Sequence, residues 1–327
     1  MSDPKTPADF SPSRRDVLAA GAGAVTGAML GGLSRAAPAR GEFELPPYSS
    51  RSIRRPIPSS GELLPVVGLG TSQVFQIGAD AGERAQRRAV IEAMVMAAGG
   101  GLIDTASTYG TAEGVVGDLV AEAGVRDKIF LATKCEVRSR AATIAEMQES
   151  LRRLKTPKID LMQLHNVSDP KTDLGLLRDW KAQGTFRYIG ITTSFNGDQD
   201  AVAAVTAREK PDFVQVNYSI LDRDAEKRVL PAAKDNGAAV LCNLPFGRGD
   251  LFRKVRGKPL PDWAAEFYAD SWAQFFLKFL LSNDAVTVVI PGTDKAEHMK
   301  DNLGAGRSLM PNPATRQRMI ALIESFS

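Results

Sequence analysis

The chain has 327 residues, of which 43% are hydrophobic and 24% charged, and this composition excludes the disordered, collagen-like and coiled-coil classes. Its 41 Lys and Arg residues nearly balance 38 Asp and Glu, which leaves a net charge of +3 and no electrostatic field suited to binding nucleic acid. Two cysteines exclude a disulfide scaffold and a four-cysteine metal site, so we expect no metal centre of that kind.

Residues 1–39 have the pattern of an export signal. Arg14 and Arg15 precede an Ala/Gly-rich stretch that runs to Leu33, and small residues follow at Ala37-Pro38-Ala39, where a signal peptidase would cleave. Paired arginines before a mildly apolar segment resemble a twin-arginine signal, which implies the twin-arginine export machinery as a partner and a periplasmic location. An uncleaved anchor stays open, because residues 17–33 only just reach the length of a bilayer span.

No later segment is long and apolar enough to cross a bilayer, so we expect no stable membrane span once the signal is removed, and a cytoplasmic protein if the signal is not used. Residues 40–52 read as a linker that contains Pro46-Pro47. The folded domain is expected over residues 53–327. It begins with a predicted β-hairpin, in which residues 53–57 and 63–67 flank the turn Pro58-Ser59-Ser60-Gly61.

Eight short apolar runs then alternate with longer segments of helical period, as expected for parallel strands and crossover helices. This alternation predicts an α/β protein with a (β/α)8 TIM barrel and an added C-terminal helix at residues 314–326. An open, doubly wound sheet is the alternative, but the first strand–helix turn, Gly68-Leu69-Gly70, lacks the third glycine of its dinucleotide-binding motif. The predicted strands are residues 66–70, 102–105, 129–134, 159–165, 188–193, 213–217, 238–243 and 286–291. The predicted helices are residues 84–98, 112–123, 143–154, 174–183, 198–208, 224–236, 271–281 and 295–303.

Four side chains able to take part in proton chemistry follow three consecutive strands. Strand two ends at Asp104 with Tyr109 in its loop, strand three ends at Lys134, and strand four ends at His165. Barrel active sites lie at the C-terminal ends of the strands, so the four are predicted to converge on one rim. Taken singly, the aspartate is also typical of a turn, the tyrosine of an aromatic loop residue and the histidine of a satisfied core residue.

Together they suit carbonyl chemistry. An ammonium beside a tyrosine favours its phenolate form, a carboxylate holds that ammonium charged and in place, and a histidine can hydrogen-bond a carbonyl oxygen. Such a group of residues can donate a proton to a developing alkoxide. It contains no electron donor, so a reduction would need a hydride cofactor.

These segments closely resemble the aldo-keto reductase family. The similarity is carried by residues 102–113, residues 132–134 and residues 160–166, and it extends through Gln215-Val216-Asn217-Tyr218 and Ile290-Pro291-Gly292-Thr293. The resemblance implies a (β/α)8 barrel that binds NADP(H) or NAD(H) and reduces a small aldehyde or ketone to an alcohol.

The resemblance also implies roles for individual residues. Tyr109 is then the proton donor, Lys134 and Asp104 promote its ionisation, and His165 orients the substrate carbonyl. Gln215, with Thr192 and Thr193 in place of a family Ser-Asn pair, is implied to bind the nicotinamide carboxamide. The other residues assigned to the cofactor lie at strand ends or in the loops that follow: Gly70, Thr71, Asn243, Leu244, Phe246, Gly247, Gly249, Ile290, Gly292, Thr293, Lys295, His298 and Asn302.

The sequence departs from the family pattern in places that affect the cofactor. Asn243 stands where many members have a tyrosine under the nicotinamide ring, while Gly292 and His298 stand where NADPH-preferring members have Lys and Arg. The choice between NADPH and NADH therefore stays open. Residues 244–262 form a long basic loop that contains Gly247 and Gly249, and it is either a cover for the cofactor pyrophosphate or a solvated surface loop.

Two other functions also stay open. One is a cofactor-binding redox sensor or accessory protein with little turnover. The export signal favours this alternative, because soluble NAD(P)H is expected to be scarce outside the cytoplasm. The other is a barrel lyase or hydrolase that uses the same rim without nicotinamide. Cys135 and Cys242 fall on opposite sides of the predicted barrel, so we expect no disulfide between them.

Overall fold

Two short antiparallel strands come first in the structure, a computed structural model that describes residues 49–326. Strands β1 (Arg54–Pro56) and β2 (Leu63–Pro65) form the predicted hairpin. The predicted export signal and residues 40–48 of the predicted linker lie outside the described residues.

Eight parallel strands follow and pair in chain order. They are β3 (Leu69–Gly70), β4 (Gly101–Asp104), β5 (Ile129–Glu136), β6 (Ile159–His165), β7 (Phe186–Thr192), β8 (Phe213–Asn217), β9 (Ala239–Asn243) and β10 (Val288–Val289). Single parallel bridges join Val67 to Val289 and Gly70 to Gly292, so the last strand meets the first. The ring is nearly closed, which confirms the predicted (β/α)8 barrel and excludes the open sheet.

Helices occupy the intervals between the strands. They are α1 (Ala81–Ala98), α2 (Ala112–Glu122), α3 (Arg140–Arg153), α4 (Gly175–Ala182), α5 (Gln199–Glu209), α6 (Val229–Asp235), α7 (Asp250–Lys254), α8 (Trp272–Leu281), α9 (Ala296–Gly304) and α10 (Pro313–Ser325). The last of these is the predicted added C-terminal helix.

The strands predicted at residues 66–70 and 286–291 are shorter in the structure, as β3 and β10, and two other predicted segments differ in kind. The helix predicted over residues 224–236 is divided into a 3₁₀ turn at Asp224–Glu226 and α6, because Pro231 has no N–H to donate to the carbonyl four residues earlier. The segment predicted as a basic loop at residues 244–262 contains a 3₁₀ turn at Gly247–Gly249 and then α7.

The side chains of the barrel strands alternate between two cores. On β6, Met162 and Leu164 belong to the outer core beneath the helices, whereas Leu161 belongs to the cluster inside the barrel. Gln163 and His165 share the inward face with Leu161, because strand side chains repeat every two residues. The barrel interior is therefore apolar at the N-terminal end of the strands and polar at the C-terminal end.

The hairpin covers the N-terminal end of the barrel. Ile57 and Leu64 are 0% and 3% exposed and pack with Phe130 and Phe213 inside the barrel. Arg187 at this end pairs with Asp160 at 2.8 Å, so its charge is compensated. Packing therefore closes the barrel interior at this end.

Other expectations concern what the described residues lack. Across residues 49–326, no helix is both long and apolar enough to cross a membrane. Cys135 and Cys242 are buried free thiols, as predicted. The part of the chain that the structure describes contains no group of three or more His, Cys, Asp or Glu residues arranged to hold a metal ion.

Candidate active site

An ion pair lies at the centre of the C-terminal rim. Lys134 Nζ, on β5, donates to Asp104 Oδ2, at the end of β4, at 2.7 Å and to the carbonyl of Thr105 at 2.7 Å. The lysine and aspartate are 1% and 2% exposed. Burial acts to lower the pKa of Lys134, but the neighbouring Asp104 charge and Tyr109 outweigh it and hold that pKa above its ordinary value. Lys134 therefore carries a fixed positive charge in a site without bulk water.

Tyr109 lies beside this ammonium. Its ring centroid is 5.1 Å from Lys134 Nζ, and the residue is half-buried in the loop between β4 and α2. The tyrosine N–H donates to the Ala106 carbonyl at 3.0 Å, and Gly110 next to it has φ +53°, a conformation that favours glycine. Thr111 Oγ1 ties the end of the loop to the Ile77 carbonyl at 2.9 Å. The loop therefore holds the phenol at the rim.

His165, at the end of β6, completes the group of four. Its ring lies edge-on to that of Tyr109, with centroids 6.0 Å apart. Burial, reinforced by the charge of Lys134, lowers the pKa of His165 from 6.5 to about 4. The imidazole is thus neutral at physiological pH and presents one N–H donor. Its Nδ1 lies 3.4 Å from Thr108 Oγ1.

The four predicted catalytic side chains are thus brought together on one rim, as the strand-end argument requires. Their roles in a reaction stay predictions. The structure adds one residue that the sequence reasoning left without a role: Gln163, fully buried on β6, contacts Gln215. Its signal in the sequence is a polar residue on an inward strand face, between Leu161 and His165.

The predicted carboxamide-binding residues are largely engaged with the protein itself. Gln215, on β8, accepts from Gln163 and donates to Asp104. Thr193 Oγ1 accepts from the Phe195 N–H at 3.1 Å. Thr192 is 2% exposed at the end of β7. Of the three, Gln215 contacts the predicted catalytic group directly, and the binding of all three to a cofactor stays a prediction.

Asn243, at the end of β9, has one buried hydrogen-bond acceptor that is unpaired among the described residues. Its Nδ2 donates to Asn217 Oδ1 at 2.8 Å, while its Oδ1 is buried and has no hydrogen-bond partner among the described residues. A buried acceptor without a donor is unfavourable, so this atom suits an N–H group supplied by a ligand.

A groove of about 520 Å³ runs past the ends of β7, β8 and β9. Leu244 and Gly247, two of the predicted cofactor residues, line it together with the exposed apolar side chains of Phe195 and Leu221. Arg248 also lines the groove, and within residues 49–326 it forms no ion pair. The groove therefore combines apolar and polar side chains, and its charged residues are the cation of Arg248 and the carboxylates of Asp222 and Asp250.

The remaining predicted cofactor residues fall into three other places. Phe246 packs on Phe252 with ring centroids 4.8 Å apart, next to the groove but not in its lining. Gly249 also lies outside the lining and is the N-cap residue of α7. Gly70 and Thr71 lie at the barrel seam, where Thr71 Oγ1 donates to the Asp104 carbonyl at 2.9 Å.

The third place is the junction of β10 and α9. Lys295 and His298 are exposed there, whereas Asn302 is 3% exposed. Gly292 pairs with Gly70 across the seam. The predicted cofactor residues at this junction, which are Ile290, Gly292, Thr293, Lys295, His298 and Asn302, do not line the groove.

A second cavity, of about 390 Å³, opens beside His165. It lies at the ends of β5 and β6, and Val137 is the one apolar residue in its lining. The others are polar or charged: Glu136, Arg138, His165, Asn166, Ser168, Asp169 and Thr172. The cavity is suited to a small polar molecule.

Comparisons with known proteins agree with this geometry. The family model described as "Aldo/keto reductase family" matches residues 66–313. The chain is 32% identical to aldo-keto reductase YhdN of Bacillus subtilis over 58% of this chain and 60% of that protein, so it spans less than two thirds of that relative. It is 31% identical to methylglyoxal reductase DkgB of Yersinia pestis, over 73% of this chain and 86% of that protein.

A solved structure shares the architecture. It is an aldo-keto reductase from Klebsiella pneumoniae in complex with NADPH, with a TM-score of 0.67 and 25% identity. The match covers 80% of this chain and 92% of that one.

Proposed function

This chain belongs to the aldo/keto reductase family, and on that basis we propose that it is an NAD(P)H-dependent oxidoreductase that reduces a small polar aldehyde or ketone to an alcohol, with Tyr109 as proton donor. The observation that carries the proposal is the buried Lys134–Asp104 pair, with Lys134 Nζ 5.1 Å from the Tyr109 ring. An enclosed ammonium next to a phenol is an arrangement for proton transfer.

The residues of the groove fit a dinucleotide. Arg248 supplies a cation without an ion-pair partner in the described part of the chain. Asn243, which precedes Leu244 of the lining but does not itself line the groove, has a buried acceptor that lacks a donor. Apolar side chains from Phe195 and Leu221 also line the groove. Bound dihydronicotinamide supplies the hydride that the protein lacks. A reductase whose structure contains NADPH is among the proteins of similar fold, which supports NADP(H) or NAD(H) as the cofactor.

The chain's own residues then divide the proton chemistry. His165 is neutral, so it donates a hydrogen bond to the substrate carbonyl without giving up a charge. Tyr109 gives its proton to the carbonyl oxygen as negative charge develops there. Lys134 stabilises the phenolate that remains, and Asp104 keeps Lys134 charged and in place.

The substrate proposal comes from the cavity beside His165. Its lining is almost entirely polar, which favours a small carbonyl compound with polar substituents over a long apolar one. A relative is named a methylglyoxal reductase, and methylglyoxal is a compound of that kind.

The export signal is a separate part of the proposal. Arg14 and Arg15, followed by the apolar stretch, support twin-arginine export to the periplasm. This route carries folded proteins, so a cofactor bound in the cytoplasm would travel with the chain. Loss of periplasmic protein on changing both arginines to Lys would support the route, and unchanged export would contradict it.

The function is tested by titrating the purified protein with NADPH and NADH and then measuring cofactor oxidation with methylglyoxal, small hydroxylated aldehydes and apolar aldehydes of equal length. We expect tight binding of at least one cofactor and higher kcat/KM for the polar compounds. Binding without turnover would instead support the sensor or accessory role. No cofactor binding at all would contradict the proposal.

A further inference from the structure

Two buried amides connect three strands beneath the catalytic residues. Gln163 Nε2, on β6, donates to Gln215 Oε1, on β8, at 2.8 Å. Gln215 Nε2 donates to Asp104 Oδ2 at 3.3 Å, the same oxygen that accepts from Lys134 Nζ. The two glutamines are 0% and 1% exposed, so solvent does not compete for these bonds.

Burial raises the pKa of the Asp104 carboxyl, while the ammonium of Lys134 at 2.7 Å acts against this and favours the carboxylate form. The charge of that carboxylate sets the direction of both amides. A carboxylate only accepts hydrogen bonds, so Gln215 must present its Nε2 to Asp104. Its Oε1 then faces Gln163, which must donate. Gln163 Oε1 is left buried without a hydrogen-bond partner among the described residues, which is unfavourable. Both amides therefore point in the direction that the carboxylate requires, and the carbonyl oxygen of Gln163 stays unpaired as a result.

A glycine makes this connection possible. Gly190, on the intervening strand β7, pairs in register with Gln163. A Cβ at Gly190 would lie 3.0 Å from Gln163 Cγ and 2.8 Å from the Phe213 carbonyl oxygen. Even alanine would displace the Gln163 side chain or the strand. The absent side chain on β7 therefore gives Gln163 room to reach across to Gln215.

We propose that Gln163 is a positioning residue for the carbonyl reduction, because it fixes Gln215 with its amide nitrogen toward Asp104. Two donors then hold one oxygen of Asp104, and the carboxylate stays oriented on Lys134. Without the donor of Gln163, Gln215 would no longer be held in this position, and loss of its N–H from Asp104 would leave more negative potential near Tyr109. The phenolate left by proton transfer would be less stable. This inference rests on the proposed function.

The test uses Gln163→Met, which keeps the length of the side chain and removes the donor, and Gln163→Glu, which is isosteric and reverses the polarity. Gly190→Ala perturbs the same amide from the neighbouring strand. The first readout is the midpoint of the Tyr109 phenolate titration, taken as the ultraviolet difference between each protein and the same protein with Tyr109→Phe. It requires no turnover. The second readout is the alkaline limb of kcat/KM against pH.

We expect all three variants to move both readouts to higher pH, by roughly one unit in the Gln163 variants. The melting temperature of Gln163→Met should change little, because the variant removes the unpaired carbonyl of Gln163 and leaves that of Gln215 without its donor. In a Gln215→Met background, Gln163→Met should have no further effect, since it acts through Gln215.

Unchanged midpoints in Gln163→Met and Gln163→Glu would overturn the proposal, as would an undiminished Gln163→Met effect in the Gln215→Met background. Shifted midpoints in the variants, together with a wild-type protein that turns over no carbonyl compound, would separate the two claims. The positioning of Tyr109 chemistry would then stand, and the proposed reductase function would fail.

Discussion

At the residue scale, burial makes the charge of Lys134 effective. The ammonium is 1% exposed and lies between Asp104 and Tyr109, so little solvent screens its effect on the phenol. A surface lysine at the same distance would act far more weakly. The proton chemistry of the site therefore depends on the pair staying intact.

Replacing Lys134 with Met tests this dependence. We expect kcat/KM near neutrality to fall roughly 100-fold or more, because the phenolate loses its stabilising charge. The alkaline limb of the pH–rate profile should move to higher pH, since the phenol then holds its proton more tightly.

A matched control is Lys278→Met. Lys278 is 0% exposed and donates to the carbonyls of Arg307 and Leu309 at 2.6 and 2.9 Å, away from the rim. This variant loses a buried ammonium and should keep the wild-type pH profile. Equal profiles for wild type and Lys134→Met would remove the lysine from its role.

The lowered pKa of His165 predicts that the free energy of unfolding depends on pH. Its pKa in the folded protein is about 4, below the ordinary value of 6.5, so the unfolded chain binds more protons between these limits. Stability should therefore rise with pH across this window and fall on acidification, by at most about 3 kcal/mol from this residue. Denaturant unfolding of wild type and His165→Gln at several pH values checks it. A wild-type slope that His165→Gln leaves unchanged would contradict the assignment.

At this scale the sequence pattern identified the rim residues but not the hydrogen bonds that link Gln163, Gln215 and Asp104. Asp104 and His165 end β4 and β6, Lys134 lies two residues before the end of β5, and barrel topology alone places these strand ends together. Gln163 could be placed on an inward face by the two-residue period. Its partner could not, because contact with Gln215 depends on the stagger of the strands and on the missing side chain at Gly190.

At the element scale, the segment after β9 brings a positive charge to the groove. Arg248 lines the groove from a left-handed conformation with φ +54°, between two glycines that also have positive φ. Such a turn directs the backbone around the groove edge before α7 begins. We therefore expect this element to contact the cofactor pyrophosphate.

Arg248→Ala should weaken cofactor binding about tenfold, as loss of a charge-assisted hydrogen bond would, and leave kcat at saturating cofactor nearly unchanged. Arg256→Ala is the control, because it removes the same charge from an exposed position of the same segment outside the groove. Cofactor fluorescence titration at low and high salt measures both. Equal weakening in the two variants would indicate only a general effect of charge.

The hairpin element should matter for stability and not for chemistry. Leu64 is 3% exposed inside the barrel end, whereas its neighbour Leu63 is 53% exposed. Leu64→Ala should lower the free energy of unfolding by about 2–5 kcal/mol, and Leu63→Ala by much less. Denaturant unfolding checks the pair, and kcat of the folded protein should be unchanged in both. Similar losses for the two would mean that the hairpin does not close the barrel.

Element boundaries were predictable where hydrophobic period and strand length agree, as at β6 and β8, whose bounds match the prediction. The predicted bounds were wrong where a single residue or a contact distant in sequence determines the length of the element. Pro231 shortens α6, and β3 and β10 are brief because their pairing across the seam consists of single bridges. No local pattern records such long-range pairing.

At the scale of the whole molecule, the barrel explains why residues far apart in sequence act together. Asp104 and Gln215 lie 111 positions apart and hydrogen-bond inside the barrel because every strand ends on one rim. The alternation of strands and helices predicted this architecture. It could not specify which loops form the groove and which the cavity, because these depend on loop conformations such as the left-handed turn at Arg248.

The central claim is that Tyr109 gives its proton to the substrate oxygen. The most direct measurement is the single-turnover rate of bound NADPH oxidation by a saturating carbonyl substrate in wild type, Tyr109→Phe and Tyr188→Phe. The control variant Tyr188→Phe removes the same hydroxyl at the opposite end of the barrel, where the Tyr188 hydroxyl donates to Ser60 Oγ at 2.8 Å. The account predicts a loss of roughly 100- to 10,000-fold for Tyr109→Phe with cofactor binding intact, and a near wild-type rate for Tyr188→Phe. A wild-type rate in Tyr109→Phe would contradict it.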